Sequence, residues 1–288
     1  MKKTFFLTNL FCLLMVSIAT AQDNSGPVGI VARPCPPAIS MPPGAAEILS
    51  DLFMEPRTLG PEDFGQLGTN KEFADYLAAV NANTFQDWPG LCRFRDDNDA
   101  LISAGVKPRL VFMGDSITEN WLLGDADLFD AEMVNRGISA QTTPQMLLRF
   151  RNDVVDLKPE MVHILAGTND IAGNTGPLRK EDFQNNIMSM VELAQANNIR
   201  VILGSIPPAA VFSWQPAVNP VVHVRELNDW LEQFAGEKNL GYIDYFTALS
   251  GQEGELRADL GNDGVHPNRD GYVIMRQLLE AQLSSMPN

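Results

Sequence analysis

The residues able to do chemistry are few and far apart along the chain. In LVFMGDSITENW, residues 110–121, an apolar run ends by presenting Ser116 between Asp115 and Ile117. The chain holds three histidines, so a histidine base for a serine nucleophile must be one of them. His163 lies inside the apolar run MVHIL and reads as a packed strand residue. His223 opens a helix after a Pro-rich loop and reads as surface. His266 lies in NDGVHPN, with Asp263 three positions before it, a spacing at which two side chains on one turn can meet. A carboxylate on the imidazole Nδ1–H fixes the tautomer and leaves Nε2 free to take a proton from a hydroxyl. Each fragment alone also reads as turn chemistry, because Asn-Asp-Gly suits a turn and Asp115 or Ser116 can cap the helix that follows.

Two further fragments matter, one at the end of an apolar run and one that reads as a loop. GTND, residues 167–170, ends a run with the amide of Asn169, and NRGIS, residues 135–139, supplies Gly137. A glycine N–H can approach a ligand closely because no side chain intervenes. Taken together these types suit acyl transfer. A hydroxyl attacks a carbonyl once a base removes its proton, and donors aimed at the resulting oxyanion are worth about 3–4 kcal/mol each. The G-x-S-x-G elbow of another hydrolase fold is missing. No CxxC pair and no HExxH helix points to a metal site.

The elements that must bring these residues together alternate in type. Apolar runs at Leu110–Met113, Met161–Leu165, Val201–Leu203 and Tyr242–Phe246 predict strands. Helical stretches lie around Pro144–Asp156, Glu181–Ala196 and Val224–Phe234, with one more after Pro267, and Thr143 before Pro144 marks a helix start. Such alternation predicts a parallel sheet with helices on both faces, and ligands in such folds bind at the carboxyl ends of the strands. Before residue 105, AAEILSDLF and KEFADYLAAV have helical spacing, and residues 22 to 43 read as a Pro- and Gly-rich leader.

The first residues read as a leader for export. Lys2 and Lys3 precede an apolar run from Phe5 to Ile18, and Ala19-Thr20-Ala21 fits a cleavage site. The run is short for a membrane span, so no integral anchor is expected after cleavage. Cys12, followed by Leu13 and Leu14, does not form a lipoprotein signal. The formal charge is −15; loss of two lysines and no acid with residues 1–21 makes it −17. That balance argues against nucleic acid as a partner, since phosphate binding needs basic surface. Cys35 and Cys92 would then remain as a candidate disulfide in an oxidising compartment, worth about 4 kcal/mol in the chain-entropy model.

GDSIT, the glycine of NRGIS, GTND and DGVHP occur in this order and resemble the four sequence blocks of the SGNH (GDSL-type) hydrolases, in particular exported acetylesterases and platelet-activating-factor acetylhydrolase-like proteins. The resemblance covers about residues 105–285. It implies a flavodoxin-like three-layer α/β/α sandwich with a central parallel sheet, to which residues 22–104 add a Pro-rich leader and a mostly helical extension. It implies Ser116 as nucleophile, His266 as base and Asp263 as the group orienting it. The Ser116 and Gly137 N–H groups and the Asn169 amide then form the oxyanion hole, with no cofactor and no metal. Ala140 departs from the pattern, standing where many relatives carry a second glycine. Asp115, Trp121, Phe212 and Trp214 are candidate substrate contacts. The implied substrate is a small-molecule or glycan ester with a short acyl group; a hydrolase of longer acyl chains and a non-catalytic carbohydrate-binding protein are the alternatives.

Overall fold

The computed structural model describes residues 30–32, 34–36, 39–57, 59, 63 and 69–286. The leader proposed for residues 1–21 lies outside them. Ala38–Asn288 form one compact unit, so the helical segments before residue 105 belong with the sheet.

Five parallel strands make the sheet: β1 (Leu110–Gly114), β2 (Met133–Gly137), β3 (Met161–Leu165), β4 (Arg200–Gly204) and β5 (Gly241–Ile243), in the order β2-β1-β3-β4-β5. That is the flavodoxin-like order, whose switch point lies between β1 and β3. Period-2 alternation sends side chains to both faces. Val111, Met113, Val162, Ile164, Val201 and Leu203 enter one core, and Leu110, Phe112, Met161, Ile202 and Ile243 enter the other. Helices α5 (Thr143–Asp153), α7 (Lys180–Ala196) and α8 (Pro220–Lys238) cover the first face. Helices α1 (Pro43–Met54), α4 (Ser116–Gly124), α9 (Tyr245–Leu249) and α10 (Arg269–Ser285) supply the second. The remaining helices are α2 (Lys71–Gln86), α3 (Arg95–Ser103) and the short α6 (Thr168–Ala172).

Three sequence expectations are corrected. NRGIS is not only a loop: Met133–Gly137 is a strand, hidden in the sequence because Asn135 and Arg136 interrupt its apolar pattern. Both side chains are buried but partnered, Asn135 Nδ2 on the Thr118 carbonyl at 2.6 Å and Arg136 Nε on Asn98 Oδ1 at 2.9 Å. The Tyr242–Phe246 run ends as a strand at Ile243, because Asp244 caps α9 through the Thr247 N–H. Helix α5 opens one residue earlier than expected, with Thr142 as N-cap and its N–H bonded to Gln145 Oε1 at 3.0 Å.

Gly137 ends β2 where α4 crosses it. A Cβ there would stand 2.2 Å from the Glu119 backbone nitrogen, so only glycine lets the helix approach the strand. Gly137→Ala should lower stability by about 1–3 kcal/mol. Gly236→Ala, in open space on α8, should raise it by about 0.5–1 kcal/mol. Urea midpoints check both, and equal midpoints for the two variants would refute the packing argument.

Candidate active site

The turn after β1 places the serine. Asp115 is the N-cap of α4, its Oδ1 accepting the Ile117 N–H at 2.9 Å. Ser116 is therefore the first residue of the helix, with its N–H among those left without an intrahelical partner. Capping falls to the aspartate, and the serine side chain is free for another task.

From the loop before α10 comes the histidine. Asp263 Oδ1 accepts the N–H groups of Val265 and His266 at 2.9 and 2.8 Å, which folds NDGVHP into a tight turn. Its other oxygen, Oδ2, lies 2.7 Å from His266 Nδ1. On the far side of the ring, Nε2 is 2.9 Å from Ser116 Oγ. With Nδ1–H donating to the carboxylate, Nε2 is the acceptor for the serine hydroxyl. Burial by itself would depress the His266 pKa; the Asp263 carboxylate, by charge and hydrogen bond, and the charge of Asp115 outweigh it and hold the pKa above the ordinary value of 6.5. Asp263 is moved oppositely: burial pushes it up, and the His266 charge and the hydrogen bonds prevail to leave it below the usual carboxylate value.

Asn169 reaches the same sheet edge from α6, after β3. Its Nδ2 donates to Asp115 Oδ2 and to the Gln141 carbonyl, both at 3.1 Å. Asp115 is thus buried between a helix start and an amide, and burial raises its pKa to about 6, with the Ile117 N–H and the His266 charge pulling it back.

Gly137 is a correction. Its N–H donates to Asn135 Oδ1 at 2.8 Å, back along its own strand, and is not offered to a ligand. Farther along the same loop, Ala140 holds a left-handed φ of 65°, a conformation more typical of glycine. No hydrogen bond among the described residues uses its N–H. The positional signal was the departure of Ala140 from the glycine that the family resemblance implies there.

The four candidate substrate contacts separate. Trp121 is fully buried and stacks on Tyr272 at 5.6 Å between ring centres, so it is core and not a substrate contact. Phe212 is also fully buried, packed with Ala172, Ala209 and Val265. Asp115 is buried and acts on its neighbours. Trp214 alone of the four is open, 44% exposed, and stacks on Phe212 at 5.1 Å. His163 is the packed strand residue expected: it bonds the Tyr245 hydroxyl at 3.1 Å, and burial lowers its pKa to about 3. His223 is exposed on α8.

The segment before β1, which the sequence alone left open between a structural brace and a lid, touches this site at several points. Phe53 of α1 meets the His266 ring edge-on at 5.6 Å between centres. Asn262, next to Asp263, donates its amide to the Leu52 and Glu55 carbonyls at 2.7 Å each. Gln141 Nε2 donates to the Pro89 carbonyl at 2.8 Å. Cys92, close by in sequence, is disulfide-bonded, and so is Cys35.

Residues 112–274 match the model of the GDSL-like lipase/acylhydrolase family. The chain belongs to this family. Membership implies hydrolase activity on esters. The chain is similar to a candidate acylhydrolase from Bacteroides fragilis, with 40% identity and a TM-score of 0.64 over 68% of this chain and 97% of that one. A GDSL-like lipase from Bacteroides thetaiotaomicron is 39% identical, with a TM-score of 0.65 over 69% of this chain and 99% of that one. The uncharacterised lipoprotein YqeF of Bacillus subtilis is 33% identical over 130 residues, which are 38% of this chain. The match spans about half, 54%, of that relative's length. The fold that the family resemblance implied is the one observed.

The Asp263 carboxylate raises the His266 pKa by favouring the charged ring. Titration of the His266 ring by NMR should give a pKa above 6.5 in the wild type. In Asp263→Asn, where burial acts without the carboxylate, it should fall below the wild-type value. An unchanged pKa in the variant would overturn this electrostatic account.

Proposed function

We propose that the protein is a serine ester hydrolase of the SGNH type that removes short acyl groups, acetyl above all, from carbohydrate-type esters. The observation that carries the reading is the continuous hydrogen-bond chain from Ser116 Oγ through the His266 ring to Asp263, at 2.9 and 2.7 Å.

In this reading, His266 Nε2 takes the Ser116 proton as Oγ attacks the ester carbonyl carbon. The imidazolium is stabilised by Asp263. Negative charge then develops on the former carbonyl oxygen, which sits at the start of α4, where the Ser116 N–H and the helix dipole favour an anion. The Asn169 amide is the second donor; its two contacts at 3.1 Å are long enough for an incoming oxygen to replace one of them. The Ala140 N–H takes the place first assigned to Gly137. Collapse of the intermediate expels the alcohol, protonated by His266, and leaves an acyl group on Ser116. Water activated by the same histidine then releases the acid.

Trp214 supports a glycan ester. Its exposed ring lies on a buried Phe212, a flat apolar surface suited to the C–H face of a sugar. The Lys2-Lys3 start and the apolar run behind it support an exported protein cleaved after Ala21, and similarity to a lipoprotein agrees with export.

A fluorophosphonate probe should label Ser116 covalently and leave Ser116→Ala unlabelled; equal labelling of both would sink the assignment. Asn169→Ala should lower turnover by about 10²–10³ while keeping the wild-type urea midpoint. The acid limb of kcat/KM should fall above pH 6.5, since the raised His266 pKa keeps the base protonated to higher pH, and it should move down in Asp263→Asn. Across acetyl, butyryl and octanoyl esters the acetyl ester should be turned over fastest, and acetylated polysaccharide should be deacetylated. A preference for octanoyl esters would replace the short-acyl reading with the longer-chain one.

A further inference from the structure

We propose that Asn174 and Trp214 are positioning residues that hold the Asn169 amide in place, through a one-way chain of hydrogen bonds from the surface to the reaction centre. This rests on the reading of Asn169 as an oxyanion donor.

The chain has three links. Trp214 Nε1 lies 3.0 Å from Asn174 Oδ1, Asn174 Nδ2 lies 2.7 Å from Asn169 Oδ1, and Asn169 Nδ2 lies 3.1 Å from Asp115 Oδ2. An amide taken alone can face either way, because its oxygen and nitrogen are nearly alike in shape. An indole N–H, by contrast, only donates. Its partner on Asn174 must be the oxygen, so the Asn174 nitrogen faces Asn169. That nitrogen in turn takes the oxygen of Asn169, whose NH2 is fixed on its other side by two acceptors, Asp115 Oδ2 and the Gln141 carbonyl, both at 3.1 Å. Without the indole proton, Asn174 can turn over and present its oxygen to Asn169. Asn169 cannot answer by turning, because its oxygen would then face the Gln141 carbonyl and Asp115. The two amide oxygens repel instead, and the Asn169 NH2 is pushed off the place where the oxyanion develops.

The surroundings hold both residues in place. Gly173, in a left-handed conformation, ends α6, and the Asn174 N–H bonds the Asn169 carbonyl at 3.1 Å. A second contact of Asn174 Nδ2, 3.4 Å from the Ala140 carbonyl, reaches the loop of the proposed third donor. The loop bearing Trp214 is pinned at its start by Asn228, whose amide both donates to and accepts from the backbone of Ile206, at 2.9 and 2.7 Å. Phe212 then anchors it beside Ala172, two residues before Asn174, and Val265, which precedes His266. A loop whose only task was to cover the body would not require its exposed tryptophan to spend the indole proton on this amide.

The test is a mutant cycle read by steady-state kinetics on 4-nitrophenyl acetate. Trp214→Phe keeps the ring stacked on Phe212 and removes the N–H; Asn174→Ala removes the middle link. Each should lower kcat about three- to tenfold, the effect of one lost hydrogen bond, with KM changed less than twofold and the urea midpoint kept. The double variant should be no slower than Asn174→Ala, because the two residues act in series. In an Asn169→Ala background both changes should have no effect on kcat. Additive losses, losses carried by KM alone, or undiminished losses in the Asn169→Ala background would overturn the relay. Full turnover by Asn169→Ala itself would overturn the oxyanion reading beneath it, an outcome distinct from failure of the relay alone.

Discussion

The guanidinium of Arg149 carries a positive charge to a place with no solvent exposure, and the chain around it is arranged to answer that charge. Nη1 donates to Asp153 Oδ2 at 2.9 Å and to the Arg136 carbonyl at 2.8 Å; Nη2 donates to the Gly114 carbonyl at 3.0 Å, and Nε to Gln141 Oε1 at 2.6 Å. Burial lowers its pKa and the Asp153 carboxylate opposes that shift. A buried charge that loses a partner is strongly destabilising, so these acceptors are held together by a large penalty for separating. They are the ends of β1 and β2, the loop after β2 and the helix α5. Gly114 directly precedes the Asp115-Ser116 turn, and the Gln141 carbonyl receives the Asn169 amide. The geometry of the candidate site is thus set from below by a salt bridge that touches none of its reacting atoms.

The same network explains why the segment before β1 belongs with the sheet. Asp153 also accepts from the Asn98 amide at 2.8 Å, and Asn98 Oδ1 receives Arg136 Nη2 at 2.7 Å, so α3 closes the polar shell around both arginines. Farther along, Arg93 bonds Glu119, whose other oxygen takes both the N–H and the hydroxyl of Ser139 at 2.7 and 2.6 Å. The early helices act as a brace on the two loops that carry Ala140 and His266. An arrangement of donors must be rigid before reaction to be worth its full electrostatic effect, and loops at strand ends are mobile unless something holds them.

Much of this could be read without a fold. Apolar runs separated by helical stretches implied the parallel sheet, and the Asp-x-x-His spacing allowed the Asp263–His266 pair that the family resemblance implied. Pairwise spacing carries such information because these contacts are local or repeat with a fixed period. β2 escaped because its polar residues are satisfied by α3 and α4, partners that no local pattern names. Trp121 and Phe212 were misread for a related reason. Position in the chain placed them near the strand ends, but which face each ring turned to was decided by Tyr272 in one case and Val265 in the other.

The sequence by itself determined the fold class, because the alternation of apolar runs and helical stretches has a fixed period. Through its resemblance to the SGNH blocks it offered Ser116, Asp263, His266 and Asn169 as a candidate set. Only the tertiary structure decided that Asp115 caps the helix and so frees Ser116, and that the Gly137 N–H is taken by Asn135. It likewise decided that Asn174 and Trp214 lie in line with Asn169. Each of these is a question of which donor faces which acceptor across loops far apart in sequence, and hydrogen-bond direction exists only once the loops have been brought together.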